Sequence, residues 1–390
     1  MMVKKKNKIK ALPYSVYFYT ALLLGVSGLL ISAYLSFSHY WVYTDIGYRS
    51  FCAITRSINC DTVSQSPYSI LWGIPVPLWG LFAYAFLLLM LYFSTFSPTQ
   101  PKRLWSIIQL VAITYVLMSL FFAYLSTYYI RSYCILCIAI YAINLLVLFY
   151  TRVIRRRFDI DTFFQALKKD FQFIASFKKK AFSLIFPLLA FAFLIWVFLP
   201  AYWKIPAPPL SEDISTGVTQ EGHPWIGSMR PELTIVEFSD YQCFQCNKMH
   251  HFIRTLIQEN ADKIRLVHRH FPMDHRFNPL LKEPFHVGSG EMALMAIYAA
   301  TQNKFWPVND LLFEIGRQKR TFNTKEIGEK TDLDFRALAQ ARKDPAILIR
   351  LQRDIIDGIK LGIQGTPAFL IDGKVYTGQI PSEIIENALK

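Results

Sequence analysis

The stretch Leu233-Thr-Ile-Val-Glu-Phe-Ser-Asp-Tyr-Gln-Cys243-Phe-Gln-Cys246 decides the fold of the C-terminal part of the chain. Its apolar and β-branched beginning, residues 233–238, predicts a buried strand, and the apolar spacing over 249–257 predicts a helix after the cysteines. Cys243 then stands at a strand-to-helix junction, where unpaired N–H groups and the positive helix end lower a thiol pKa. We therefore predict that Cys243 is an attacking nucleophile and that Cys246, one turn later, resolves the mixed disulfide.

Later segments extend this domain. Alternation over residues 264–271 predicts a strand with His268 and His270 on one face. Gly-Thr-Pro-Ala at 365–368 precedes another predicted strand, and Pro367 either follows a cis bond or belongs to an ordinary turn. Because proline has no N–H, the strand edge beside it is open to an extended substrate. Residues from about 290 to 362 are typical of a helical insertion.

Histidines near the cysteines raise the alternative of a metal site. Cys243, Cys246 and His250 are ligand types for copper or zinc. His268 and His270, however, fit the strand pattern without any metal. We expect no metal site in this chain.

The composition of the remaining chain indicates lipid contact. Hydrophobic residues make up 53% of the sequence and charged residues 18%, which is apolar for a soluble protein. Crossing a membrane takes about 20 apolar residues, and five uncharged stretches approach or exceed that length: 11–38, 70–96, 104–124, 134–150 and 181–199. We predict five transmembrane helices. The first could be a cleaved signal peptide, but its run is long and lacks a small-residue cleavage site, so we interpret it as an anchor.

Basic residues predict the orientation of these helices. They cluster before the first helix, between the second and third, and between the fourth and fifth: Lys4, Lys5, Lys6, Lys8, Lys10, Lys102, Arg103, Arg152, Arg155, Arg156, Arg157, Lys168, Lys169, Lys178, Lys179 and Lys180. Five crossings place all of these clusters on one side, which the positive-inside rule makes the cytoplasm. Most of the net charge of +14 is thus explained by basic residues at the cytoplasmic ends of the membrane helices. We therefore expect no nucleic-acid partner.

The same topology places three cysteine pairs on the opposite, outer side, where disulfides persist. Cys52 and Cys60 lie in the first outer loop, and by themselves fit a structural staple as well as a redox pair. Cys134 and Cys137 open the fourth helix, on one face and at its positive end, which favours thiolate. Buried small residues or a metal site are the alternatives for this pair.

These motifs resemble a known pairing of two families. Residues 14–150 resemble the vitamin K epoxide reductase family through the loop cysteines, Ser66-Pro-Tyr-Ser, Gly73-Ile-Pro and Cys134-Ile-Leu-Cys-Ile-Ala-Ile-Tyr141-Ala-Ile-Asn. Residues 215–390 resemble the DsbA-type thioredoxin fold through the strand with its Cys-x-x-Cys and through Gly365-Thr-Pro-Ala. The whole is similar to the bacterial fusion of the two. The resemblance implies a mainly α membrane four-helix bundle plus a fifth transmembrane helix, followed by an α/β thioredoxin-like domain with a helical insertion.

The resemblance also implies domain limits. We expect a vitamin K epoxide reductase-like bundle over 11–151, a cytoplasmic basic segment with the fifth helix over 152–204, a linker over 205–230 and the thioredoxin-like domain over 231–390. We expect the bacterial cytoplasmic (inner) membrane, and the charge pattern places the N-terminus in the cytoplasm and the thioredoxin-like domain outside it.

Roles for individual residues come from the same resemblance. Cys137 would face a membrane quinone of the ubiquinone or menaquinone type, Cys134 would exchange with Cys60, and Cys52 with Cys243. Ser66 and Tyr141 match positions that could hydrogen-bond the quinone carbonyls. Pro367 matches a cis-proline beside the soluble active site. Glu237 matches a buried acid beneath that site, and we expect its pKa to be raised.

The implied activity is oxidation of thiols in secreted or periplasmic proteins, with electrons relayed through the three pairs to the quinone. One departure concerns the dipeptide between Cys243 and Cys246, which is Phe-Gln, whereas strongly oxidising relatives carry proline and histidine. A less oxidising pair is expected. The rival functions are a quinol-driven disulfide reductase or isomerase, and a copper-binding assembly factor.

Overall fold

The computed structural model describes residues 12–55, 57–96, 103–158, 161–204, 213–318 and 320–390. The chain divides into two compact units, Met1–Tyr202 and Trp203–Lys390. Three predicted features lie outside the described residues: the lysines from Lys4 to Lys10, Lys102, and residues 205–212 of the expected linker.

The N-terminal unit is built from helices and one small hairpin. Its elements are α1 (Tyr14–Thr44), α2 (Cys60–Ser64), β1 (Ile70–Leu71), β2 (Ile74–Pro75), α3 (Val76–Ser94), α4 (Trp105–Leu125), α5 (Ile135–Phe158), α6 (Phe163–Ser176) and α7 (Lys178–Phe198). A turn of π-helix, Ser126–Ile130, continues α4. Among the described residues, α1, α3, α4, α5 and α7 are long and apolar enough to cross a membrane, which confirms the five predicted helices.

Several of the predicted helix bounds are wrong, beginning with the first helix, which was expected to end at residue 38 but runs to Thr44. The second helix was expected from residue 70, but β1 and β2 form an antiparallel hairpin there. Trp72 and Gly73 in its turn have φ values of 52° and 77°, the left-handed pair that a two-residue hairpin turn requires. The fourth helix continues past residue 150 to Phe158, because arginines at a helix C-terminus stabilise its dipole.

Polar contacts tie the membrane helices together. The Tyr84 hydroxyl on α3 donates to Asn144 Oδ1 on α5 at 2.7 Å, and Asn144 Nδ2 donates to the Ser119 hydroxyl on α4 at 2.9 Å. On α1, a Cβ at Gly28 would overlap the ring of Tyr84. This glycine therefore lets α1 and α3 approach closely, as small residues do in membrane bundles.

Basic residues of two connections meet at one end of this unit. Asp161 lies 3.4 Å from Arg103 and 2.6 Å from Lys169. Asp170 on α6 accepts the backbone N–H groups of Leu104 at 2.9 Å and Ser106 at 3.0 Å, capping the first turn of α4. The connections before α4 and after α5 thus lie at the same end, as the charge pattern predicts.

The C-terminal unit has a central sheet. Its strands are β3 (Thr216–Val218), β4 (Pro224–Gly227), β5 (Leu233–Ser239), β6 (Ile264–His270), β7 (Ala368–Ile371) and β8 (Lys374–Thr377). Their order is β3-β4-β6-β5-β7-β8, with β5 and β6 parallel and the other neighbours antiparallel. The predicted strands around residues 233, 264 and 369 are therefore confirmed.

Helices cover this sheet. They are α8 (Phe244–Glu259), α9 (Ser289–Thr301), α10 (Phe305–Arg317), α11 (Thr324–Thr331), α12 (Phe335–Ala341), α13 (Pro345–Lys360) and α14 (Ser382–Leu389). The run from α9 to α13 is the predicted helical insertion. The fold is thus a thioredoxin-like sheet covered by helices. The helix α8 follows β5 in the chain and begins directly after Cys243, the first cysteine of the Cys-x-x-Cys motif.

Candidate redox site

The soluble Cys-x-x-Cys pair caps α8. Cys243 is the N-cap residue, and its sulfur accepts the N–H of Cys246 at 3.3 Å. The Cys243 thiol also lies 3.5 Å from the carbonyl oxygen of Thr366, which is joined to Pro367 by a cis peptide bond. Cys246 is fully buried. The half-buried sulfur of Cys243 is therefore the one that can meet another thiol, with the Pro367 segment beside it.

Two charged side chains act on this pair. Burial raises the pKa of the Cys243 thiol, but the hydrogen bond from Cys246 and the charge of His286 more than offset it, so the pKa is lowered. The Cys246 pKa is raised well above its usual value by burial and by the Cys243 thiolate. His286 Nδ1 lies 3.2 Å from Asp240 Oδ1. These directions favour Cys243 over Cys246 as the thiolate at neutral pH.

Asp240 is held rigidly under the pair. Its Oδ1 accepts the N–H of Gln242 at 2.6 Å, and its Oδ2 accepts the N–H of Met273 at 2.5 Å and the Ser289 hydroxyl at 2.8 Å. Its negative charge acts to raise the pKa of both cysteines, although the net pKa of Cys243 is lowered. The buried carboxylate that acts electrostatically on the soluble pair is therefore Asp240.

The expected raised pKa of Glu237 is wrong. This carboxyl is fully buried, and burial does raise its pKa, but the hydrogen bond with His250 and the charges of His250 and His268 lower the pKa to about 2. His250 Nδ1 lies 3.2 Å from Glu237 Oε2, and the pKa of His250 is raised despite its burial. Glu237 is thus an ionised partner of histidine, which the sequence pattern alone could not reveal because His250 and His268 come from other elements.

The copper site considered for Cys243, Cys246 and His250 is not assembled. His250 points its nitrogens at Glu237 and at Asn309, 2.9 Å away. Within the described ranges, the group of histidine, cysteine and acidic side chains close enough to hold a metal is Glu237, His250 and His268. It contains no cysteine.

The membrane Cys-x-x-Cys pair repeats the geometry of the soluble one. The Cys134 sulfur accepts the N–H of Cys137 at 3.2 Å, and the Cys134 carbonyl accepts the N–H of Ile138 at 3.0 Å. Cys134 is therefore the residue immediately before α5, and its sulfur caps the first turn of that helix. Cys134 is buried and Cys137 is half-buried.

The loop pair forms a disulfide packed against Cys134. Cys52 and Cys60 are bonded, with a Cα–Cα distance of 5.6 Å. Both are buried in one cluster with Cys134 and Leu35, and Cys137 packs against that cluster. Backbone hydrogen bonds fix the arrangement, because Asn59 N–H donates to the Tyr133 carbonyl at 2.9 Å and Tyr133 N–H donates to the Ser57 carbonyl at 2.8 Å.

Ser66 lies in the loop after α2, whereas Tyr141 lies on α5. The Ser66 hydroxyl is buried and donates to the Val63 carbonyl at 2.8 Å, so its hydrogen is already engaged. Tyr141 is half-buried one turn beyond Cys137, and its phenol interacts with the Ser126 hydroxyl.

Three neighbours of the sulfurs were missed by sequence reasoning. Asp240 stands inside the quoted motif, three positions before Cys243, and that nearness was an available signal. Asp61 follows Cys60 and acts electrostatically on Cys134. His286 lies in a distant loop, and nothing in its own neighbourhood in the sequence points to Cys243.

Family comparisons match one segment in each of the two units of the fold. Residues 19–152 match the model of the vitamin K epoxide reductase family, and residues 219–390 match a thioredoxin model. The chain joins a vitamin K epoxide reductase family domain to a thioredoxin-like domain. The resemblance of the motifs to these two families is thereby confirmed.

Curated relatives match a part of this chain. A Na(+)/H(+) antiporter NhaA 1 of Salinispora arenicola is 27% identical over 164 residues, covering 42% of this chain and 24% of that protein. The NhaA antiporter of Herminiimonas arsenicoxydans is 27% identical over 161 residues, covering 41% and 24%. The chain spans about a quarter of the length of these relatives.

Two solved structures each cover a little under half of this chain. A thioredoxin-like oxidoreductase from Silicibacter pomeroyi is 24% identical, with a TM-score of 0.35, covering 44% of this chain and 91% of that one. BdbD from Bacillus subtilis is 22% identical, with a TM-score of 0.36, covering 46% and 97%.

Proposed function

We propose that this chain is a membrane thiol-disulfide oxidoreductase that oxidises thiols of secreted proteins and passes their electrons to a membrane quinone. The observation that carries the proposal is the single buried cluster of Cys52, Cys60 and Cys134, with Cys137 packed against it. A structural staple has no need of a second cysteine pair beside it. Two redox pairs in contact can exchange disulfides, because an attacking thiolate must reach its target sulfur.

The orientation proposed here rests on the two ends of the helical unit. Arg103, Asp161 and Lys169 meet at the end opposite the cysteines, and the positive-inside rule makes that end cytoplasmic. At the other end, the Tyr202 hydroxyl lies 2.8 Å from His39 near the end of α1. The chain therefore leaves the helical unit at the cysteine end, which supports an extracytoplasmic thioredoxin-like domain.

Electron flow begins at Cys243. A substrate thiolate attacks Cys243 of the oxidised soluble pair, Cys246 leaves as thiolate, and a second substrate thiol displaces Cys243 to form the substrate disulfide. The Cys243 thiolate then attacks Cys52, and Cys246 resolves that mixed disulfide, so that Cys52 and Cys60 become thiols. Because Cys52 is fully buried, its loop must open for this step.

The loop pair passes the electrons inward. The Cys60 thiolate attacks Cys134 of the oxidised helical pair, releasing Cys137, and Cys52 completes the exchange. The loop disulfide is restored and Cys134 and Cys137 carry two electrons as thiols. The contacts within the buried cluster make this the step that needs the least movement.

The residues around Cys137 suit a quinone. Cys137 is half-buried, and the half-buried phenol of Tyr141 lies one turn farther along the same helix. A bound quinone would accept two electrons and two protons from the Cys134–Cys137 dithiol. Tyr141 would orient the ring by donating to a carbonyl, and Ser66 would first have to release the Val63 carbonyl before it could donate.

Quinol formation tests the proposal. Purified full-length protein in detergent is mixed with a reduced dithiol peptide and an oxidised ubiquinone or menaquinone analogue, and quinol is followed by absorbance. We expect steady quinol production that needs the peptide and stops in Cys60→Ser. Production that is absent from the wild type, or unchanged in Cys60→Ser, would contradict the proposed relay.

The reverse direction is the second candidate within the same chemistry. The lowered pKa of Cys243 gives a nucleophile that could equally attack a wrong disulfide. Supplying quinol and a peptide with mispaired disulfides separates the two: peptide reduction at a rate above that of peptide oxidation would favour the reductase. Copper delivery has less support, since His250 faces Glu237 and not the cysteines.

A further inference from the structure

A buried group of three ligand-type side chains lies beneath the helix that carries Cys243. Glu237 on β5 and His268 on β6 are register partners on adjacent parallel strands. His250 lies on α8, whose N-terminal residues hold the soluble cysteine pair. All three side chains are fully buried. Two strands and a helix therefore hold the three groups on rigid elements.

The distances suit a small divalent cation. Glu237 Oε2 lies 3.2 Å from His250 Nδ1 and 3.7 Å from His268 Nδ1. One ligand atom from each residue lies within 4.8 Å of the others. Ligands held about 2.0–2.2 Å from zinc in tetrahedral geometry are separated by roughly 3.3 Å. The distances from Glu237 to the two histidines are thus close to those between zinc ligands.

Hydrogen bonding within the protein leaves this group incompletely satisfied. Glu237 Oε1 and both ring nitrogens of His268 are buried without a hydrogen-bond partner. A buried polar atom left in this state is destabilising, so several around one point call for a further partner such as an ion. A cation coordinated by Glu237 and His268 would relieve that cost.

We propose that Glu237, His250 and His268 bind a zinc ion between the sheet and α8. Two imidazoles and a carboxylate are a set that zinc favours. His250 Nε2 lies 3.4 Å from Asp310 Oδ1, a carboxylate placed to orient the ring of a metal-binding histidine. The proposal does not depend on the direction or acceptor of the redox relay.

Metal analysis of the whole protein tests this site. The full-length chain is first oxidised, so that disulfides remove the thiolates that would also bind zinc. It is then equilibrated with zinc against a competing chromophoric chelator, dialysed and analysed for metal. We expect one zinc per chain in the wild type. Glu237→Gln and His268→Gln should each weaken zinc binding at least tenfold, as loss of a direct ligand does.

The matched control is His251→Gln. His251 is the next residue on α8 and is also buried, but it does not belong to the three-residue group. Its replacement should leave zinc binding unchanged. A zinc-free wild type, or equal loss of zinc in all three variants, would overturn the proposal.

Spectroscopy of the wild type keeps the test independent of variant folding. X-ray absorption at the zinc edge should show nitrogen and oxygen ligands with imidazole scattering and no sulfur. A sulfur shell would assign the zinc to cysteine and contradict the site at Glu237, His250 and His268.

Discussion

The membrane and the soluble Cys-x-x-Cys pairs share one local geometry and differ in their surroundings. In each, the first sulfur accepts the N–H of the second cysteine, at 3.2 Å for Cys134 and 3.3 Å for Cys243. Cys243 has the charges of His286 and Asp240 nearby, whereas Cys134 packs with the loop disulfide and Leu35. The Cys-x-x-Cys spacing at a helix start thus produces the hydrogen bond between the first sulfur and the second cysteine's N–H. The surroundings of the two pairs come from residues elsewhere in the chain, and we expect them to determine the exchange partner of each pair.

The largest expected effect comes from breaking one pair at a time. Cys137→Ser and Cys246→Ser should both reduce peptide-driven quinol formation to background, because each removes the second thiol of a two-electron couple. The trapped species should differ. Cys246→Ser should accumulate mixed disulfides between Cys243 and substrate, whereas Cys137→Ser should still oxidise substrate stoichiometrically. Non-reducing gels and thiol counting check this, and equal trapping in both variants would contradict separate roles for the two pairs.

A second prediction concerns acid stability, which we expect to be specific to the soluble pair's unit. Burial raises the pKa of Asp354, but the hydrogen bond with His223 and the charges of His270 and Arg269 lower it to about 2. Because the folded pKa lies below the usual value near 3.8, the stabilisation is present above about pH 4 and is lost as the pH falls toward 2. Asp354→Asn should lose about 2 kcal/mol of unfolding free energy at pH 7.

Denaturant-dependent hydrogen exchange of peptides from β6 measures this loss in the full-length protein. The difference between wild type and Asp354→Asn should shrink between pH 4 and pH 2. The exposed Glu386→Gln is the matched control and should be neutral at both ends of the range. A difference that persists unchanged at pH 2 would show that Asp354 does not act through its charge.

The smallest predicted effect is that of removing His286, whose charge acts on the soluble pair. His286→Ala removes a positive charge that lowers the pKa of Cys243, so less thiolate exists at neutral pH. Attack on a model disulfide should slow roughly three- to tenfold at pH 7, and the pH–rate profile should move to higher pH. Stopped-flow measurements over pH 5–9 would check this.

The control for that variant is His275→Ala, another loop histidine, which lies 3.6 Å from Asp274. Its profile should match the wild type. If both variants shift equally, or if neither does, the charge of His286 is not what tunes Cys243.

The sequence predicted features that depend on local chemistry. Apolar length identified the membrane helices, and the strand followed by Cys243-Phe-Gln-Cys246 identified the thioredoxin-like fold. It failed where distant residues meet. The hairpin at residues 70–75 depends on the left-handed backbone conformation of Trp72. The apolar residues around Trp72 gave no sign of a turn in the sequence. The pKa of Glu237 depends on two histidines from other elements, and the cap that Asp170 provides to α4 joins segments far apart in the chain.

The most direct test is whether the soluble and loop pairs of one chain can join. Full-length protein carrying Cys246→Ser and Cys60→Ser is mildly oxidised in its membrane, digested and examined by mass spectrometry. The relay predicts a disulfide between Cys243 and Cys52 within a single chain. Cys243 linked to other proteins or to glutathione, with Cys52 remaining a free thiol throughout, would contradict it.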